Sequence, residues 1–186
     1  YLLLVRLDRE RLLSPQPPTV LAERMTDGFL VHLGHRVRPA EEAAIDRLGV
    51  PCVWINHERP GISVSPDDLG AGVDLVRRLI AAGHRRIAFA DCVLGAAPDP
   101  EHPYVRLRCA GAAQACRAAG LTLRTHLAER YLQPEERIPW ARALLADPDR
   151  PTAVVTANSI SADGLLGAAA ALGLAVEKTT VFAKLS

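Results

Sequence analysis

Neither sign of charge dominates this sequence. Lysine and arginine total 22 against 21 aspartates and glutamates, a formal net charge of +1 over 186 residues. That balance leaves no basic footprint of the kind that grips a nucleic-acid backbone, so any DNA contact must come from another segment. No apolar run approaches the roughly 20 residues needed to cross a bilayer. The opening stretch Tyr1 to Arg6 has neither the charged region nor the cleavage region of a signal peptide. These absences lead us to expect a cytoplasmic protein without membrane attachment. The glycine-rich loops that cradle phosphates, GxGxxG after a strand and GxxxxGK followed by Ser or Thr, are missing, which removes the best support for a dehydrogenase, kinase or NTPase. There is no GxSxG elbow, and no Ser and His spacing suggests a nucleophile with its base. No enzyme activity and no cofactor are expected.

Cysteine is sparse and dispersed. Cys52, Cys92, Cys109 and Cys116 form no CxxC pair, which argues against a zinc ribbon or a dithiol redox centre and for buried thiols. Cys109 and Cys116 share a helix face about two turns apart, too far for a disulfide. His32 and His35 form an HxxH at a strand end, but no carboxylate or thiol cluster accompanies them to complete a metal site.

What is present is apolar content, 49% of the chain, enough to bury a core in one large domain or two small lobes. Short apolar runs alternate with longer segments of helical period, the pattern of repeated βα units around a parallel sheet. Strands are expected at 2–5, 28–32, 52–55, 86–90, 152–156 and 179–183, with a short edge strand at 62–65 and another at 126–131. Their continuous apolar character predicts helices on both faces. Helices are expected at 39–48, 68–82, 105–119, 134–146 and 159–172. Pro39 opens the first, and Gly49, Gly83, Gly120 and Gly173 follow their helices as stops. Residues Ala96 to Pro103 read as a loop after a strand C-terminus, where open α/β sheets bind ligands.

A larger pattern runs through nearly the whole chain. It comprises Asp27-Gly28-Phe29-Leu30-Val31, Gly49-Val50-Pro51-Cys52-Val53-Trp54-Ile55-Asn56, Val64 with Asp67-Asp68, and Gly83-His84-Arg85-Arg86-Ile87. It continues with Arg106-Leu107-Arg108-Cys109-Ala110-Gly111, Gly120-Leu121, and Pro151-Thr152-Ala153-Val154-Val155-Thr156-Ala157-Asn158. In order and spacing these residues resemble the effector-binding core of the LacI/GalR family of bacterial transcriptional regulators. The resemblance implies a periplasmic-binding-protein-like type I fold of two doubly wound parallel-sheet lobes, with a small polar effector, a sugar or related metabolite, held between them. It also implies a homodimer, and allosteric control of operator DNA through a headpiece absent from this chain. By the same resemblance the chain opens at the second strand of the first lobe and ends before the segment that crosses back. The boundary between lobes is placed at 82/83, giving 1–82 and 83–186.

Three residues carry the ligand expectation. Arg108 matches the family arginine that reaches into the cleft, where its fork of donors suits vicinal hydroxyls or a carboxylate. Ordinary solvation on a helix face is its alternative. Asn158 matches the asparagine at a strand-to-helix junction, and Asp67 the aspartate before the long helix, facing the cleft from the first lobe; helix capping would equally explain both. Arg108 is expected to be exposed, so that its removal spares the fold. The sequence departs from the family pattern at Leu132, where an aromatic partner is usual, at Ala112, and at Ala183-Lys184-Leu185, which replaces a motif containing a ligand-contacting Asp. A sugar-binding protein of a transport system shares the implied fold and is the alternative reading. A hydrolase or transferase would need a nucleophile or cofactor loop that is not found.

Overall fold

The computed structural model describes residues 5, 9–15, 19–22, 26–33, 37–57, 59, 61–93 and 103–176. Residues 2–4 of the strand expected at 2–5, the strand expected at 179–183, residues 96–102 of the loop expected at 96–103, His35 and the segment Ala183-Lys184-Leu185 lie outside the described residues. Chain contacts divide the protein into two compact units, residues 1–66 and 67–186.

In the first unit the described elements are α1 (Arg9–Leu13), α2 (Thr19–Ala22), β1 (Phe29–Val31), α3 (Pro39–Asp46), β2 (Cys52–Ile55) and β3 (Ser63–Val64). The strands form a parallel sheet in the order β1-β2-β3, with Phe29 opposite Cys52 and Trp54 opposite Ser63. Pro39 supplies the first turn of α3 with a preset φ, and the Glu41 carboxylate caps that turn by accepting from the Arg38 N–H at 2.7 Å. The amphipathic stripe of α3 places Ala44 and Ile45 with Leu12, Val31, Val37 and Trp54 in one buried cluster.

The second unit contains α4 (Asp68–Ala81), β4 (Ile87–Asp91), α5 (Pro103–Ala118), β5 (Arg124–Leu127), α6 (Pro134–Leu145), β6 (Ala153–Thr156) and α7 (Ser159–Ala171). Its sheet is parallel, in the order β5-β4-β6. The central strand β4 is buried at every position, as the apolar run Ile87–Ala90 requires, and the buried Asp91 closes it. Its alternation assigns the two faces. Ile87 and Phe89 enter a core with Val73, Val76 and Leu79 of α4 and Val105, Ala112 and Cys116 of α5. Ala88 and Ala90 enter a second core with Ala141 and Leu144 of α6 and Leu165 and Ala168 of α7.

Helices α4 and α5 cross with their backbones in contact. A Cβ placed at Gly72 would lie 2.2 Å from the Arg108 carbonyl oxygen, and one at Gly111 would lie 2.1 Å from that of Leu69. Only glycine permits this approach. Because α4 buries its apolar stripe against α5 and β4, it belongs to the second unit. The division between compact units falls at 66/67, while the lobe boundary was expected at 82/83. The helix stop at Gly83 is observed, with φ of 95°. The strand expected at 126–131 begins earlier, at Arg124, where Thr125 and His126 pair with Phe89 and Ala90.

Candidate functional site

The connections out of the second sheet create an opening. After β4 the chain forms α5 on one face, and after β6, the neighbouring strand, it forms α7 on the other. Adjacent parallel strands that send their helices to opposite faces leave a crevice at their C-terminal ends. Polar side chains gather there.

Asp91 ends β4 and is completely buried. Its Oδ1 accepts from Asn158 Nδ2 and from Ser161 Oγ (3.3 Å), and its Oδ2 accepts from the Val93 N–H at 3.2 Å. Ser161 Oγ in turn accepts from the Cys92 N–H at 3.0 Å. Asn158 is the N-cap of α7, its Oδ1 accepting from the Ser161 N–H at 2.9 Å. Capping and a place in the crevice thus coincide in one side chain.

Arg108 crosses from α5. Its Nε and Nη2 both meet Asp68 Oδ1 at 2.8 Å, while Nη1 donates to the Ala157 carbonyl oxygen at 2.6 Å. The guanidinium carbon stands 4.9 Å from the centroid of the Tyr104 ring. Arg108 is 15% exposed and Asp68 5%. The expectation of an exposed arginine is therefore corrected: its fork is enclosed by α4, α5 and the turn after β6. Burial pushes the Tyr104 phenol up in pKa; Asp91 and Asp68 add to this and Arg108 opposes it.

The structure thus joins two of the sequence-derived positions through one carbonyl, since Arg108 holds Ala157 and Asn158 follows it. Asp67 is different. Its exposed carboxylate caps α4 by accepting from the Gly70 N–H at 2.8 Å, and it is the first residue of the second unit. The neighbouring Asp68 is the carboxylate that reaches Arg108. Asp91, Ser161 and Tyr104 were not singled out from the sequence. Asp91 carried a signal: an acid closing an otherwise apolar strand, where strand ends open to ligands.

The opposite rim is formed by the segment after β5. Ala128 and Leu132 donate backbone N–H groups to the carbonyl oxygens of Asp91 (2.9 Å) and Cys92 (3.0 Å), tying this segment to the end of β4. Tyr131, beside the non-aromatic Leu132, is 46% exposed. His32 is exposed after β1, and among the described residues no group of three or more His, Cys, Asp or Glu side chains could hold a metal. A groove of about 650 Å³ beside β6, lined in part by Val154, Leu165, Leu174 and Val176, includes none of Asp91, Arg108 or Asn158. Among the described residues no helix is long and apolar enough to cross a membrane.

Comparison with known proteins agrees with this architecture. Residues 76–178 match the family model described as periplasmic binding protein-like domain, more than half of the chain and within the second unit. None of the curated proteins matches significantly. A solved structure described as a LacI-family transcriptional regulator from Rhizobium etli is similar over 88% of this chain and 59% of its own, with 26% identity and a TM-score of 0.68. One described as a ribose operon repressor from Burkholderia thailandensis matches over 84% and 56%, with 27% identity and a TM-score of 0.63. A LacI-family transcriptional regulator from Mycobacterium smegmatis matches over 91% and 60%, with 28% identity and a TM-score of 0.62. The chain thus spans less than two thirds of the length of these proteins.

Proposed function

This chain belongs to the periplasmic binding protein-like domain family, in the form found in LacI-family regulators, and from that premise we propose that it senses a small polar effector for a transcriptional regulator. The effector class that fits is a sugar or related metabolite. The observation that carries the reading is the crevice cluster itself. Arg108, Asn158, Asp91 and Ser161 converge at the ends of β4 and β6, with donors and acceptors already oriented by fixed partners. Such preorganisation favours tight, selective binding of hydroxyl-rich molecules, because little ordering cost remains at the moment of capture.

In this reading Arg108 and Asn158 contact the effector, while Asp67 orders the start of α4 and keeps Asp68 in place. The signal is a population shift. An effector that binds one arrangement of the whole regulator more tightly than another biases the equilibrium by that difference, and a DNA-binding segment outside this chain reports it. The functional unit is a homodimer acting without catalysis, in the cytoplasm. The Burkholderia relative is described as the repressor of a ribose operon, which supports a sugar as the first class to test.

The test is a thermal-shift screen of sugars, sugar phosphates, nucleosides and small acids, followed by recovery of any hit. A ligand at a hundred times its Kd stabilises the native state by about 2.7 kcal/mol, which for a chain of this size raises Tm by about 5–10 °C. The hit should be recovered chemically unchanged. Consumption of the compound, or no shift with any class, would refute the sensing role.

A further inference from the structure

The arginines around the crevice are not equivalent. Arg108 is paired with Asp68 and Arg130 with Glu136. Arg137, half-buried in the first turn of α6, has no carboxylate within ion-pair distance among the described residues. Its Nε donates to the Leu132 carbonyl oxygen at 3.2 Å and its Nη2 to the Tyr131 hydroxyl at 3.0 Å, both neutral acceptors. The guanidinium lies over the Tyr131 ring, 5.6 Å from its centroid. Nη1 makes no hydrogen bond among the described residues.

Its position is set by packing. Helix α6 starts on the rim where β5 ends, and the connecting segment is tied to Asp91 and Cys92 as described above. The Cβ of Arg137 would stand 3.1 Å from a Cβ placed at Gly164 of α7, so glycine there lets α6 approach one turn from Ser161. The cation is close enough to Cys92 to oppose the burial that pushes that thiol up in pKa. Arg137 and Arg108 therefore flank the end of β4 from opposite faces of the sheet.

Their charges are balanced differently. Asp68 neutralises Arg108. Asp91 is buried and accepts from Asn158, Ser161 and the Val93 N–H. Among the described residues Arg137 is the cation of this rim without an adjacent counter-ion, and a guanidinium's planar donors bind carboxylate or phosphate far better than hydroxyls. Resting on the sensing role above, we infer that the effector is a hydroxylated compound bearing an oxyanion, a carboxylate or a phosphate ester, received by Arg137 while its hydroxyls face the Asn158 side of the crevice.

The experiment measures Kd for matched probes on the full chain: ribose with ribonate and ribose 5-phosphate, and glucose with gluconate and glucose 6-phosphate. In the wild-type protein at least one acid or phosphate should bind tenfold or more tightly than its neutral parent, and which of the two does so identifies the oxyanion. Arg137→Gln should erase that preference without weakening the neutral parent, and Arg137→Lys, which keeps the charge, should retain part of it. Equal binding of parent and anion, a preference that survives Arg137→Gln, or no binding of any anionic probe overturns the assignment. An uncharged hit in the wider screen would leave the sensing role standing in each of those cases.

Discussion

Arg108 on α5 and Asp68 at the start of α4 form a nearly buried ion pair, with Nε and Nη2 both 2.8 Å from one carboxylate oxygen. Two helices and the turn after β6 are thereby joined through a single guanidinium, because Nη1 of the same residue holds the Ala157 carbonyl. The pair is part of the framework of the crevice as well as its surface.

Breaking the pair from either side should cost folding stability. Arg108→Ala and Asp68→Ala each leave a buried charge without its partner, which destabilises by about 3–5 kcal/mol. Urea denaturation should show a lowered midpoint for both. An Arg108→Ala protein with an unchanged midpoint would mean that the arginine acts only on ligand.

The glycine contact between α4 and α5 is equally open to test. Gly72→Ala or Gly111→Ala sets a methyl group against a backbone carbonyl of the facing helix, which cannot turn aside. The helices must separate, at a cost of at least about 1–3 kcal/mol. Thermal unfolding followed by circular dichroism should register the loss, and wild-type stability in both variants would contradict the backbone contact.

Acid should weaken one cap selectively. Glu136 accepts from both Nη groups of Arg130 and from the Gln133 N–H, which together lower its pKa from 4.5 to about 2. A carboxylate with a depressed folded-state pKa contributes stability that is complete above its unfolded value and lost as pH falls through the folded one. Native stability should therefore decline between about pH 4.5 and 2, and Glu136→Gln should flatten the curve in that window. A variant with the wild-type slope would show that the bridge contributes nothing.

Thiol labelling should separate the cysteines by burial. Cys92 and Cys116 are enclosed, and burial pushes the pKa of all four thiols up. At neutral pH, native protein should leave Cys92 and Cys116 unlabelled by iodoacetamide, and denatured protein should label all four. Rapid native labelling of Cys92, read by peptide mass, would contradict its burial beside Ser161.

The periodicity of apolar residues was sufficient to locate α4, α5, α6, α7, β4 and β6, because each element spends its pattern on burial that neighbouring residues already encode. Pro39, Gly83 and Asn158 likewise act within a turn of their own positions, so their helix-end roles were legible. Family-like spacing also marked Arg108 and Asn158, which the fold brings to one carbonyl at Ala157. The assignment of α4 to the second unit was not legible, since it depends on Gly72 and Gly111 meeting across 39 positions of chain. The same holds for the choice between Asp67 and Asp68 as the partner of Arg108. Both are acids at a helix start, and only the direction from which α5 crosses selects the one that is buried. Asp91 became a crevice residue when β6 came to lie beside β4 and delivered Asn158 and Ser161 to it. Local propensity resides in adjacent residues, whereas these contacts exist only where distant segments are packed together.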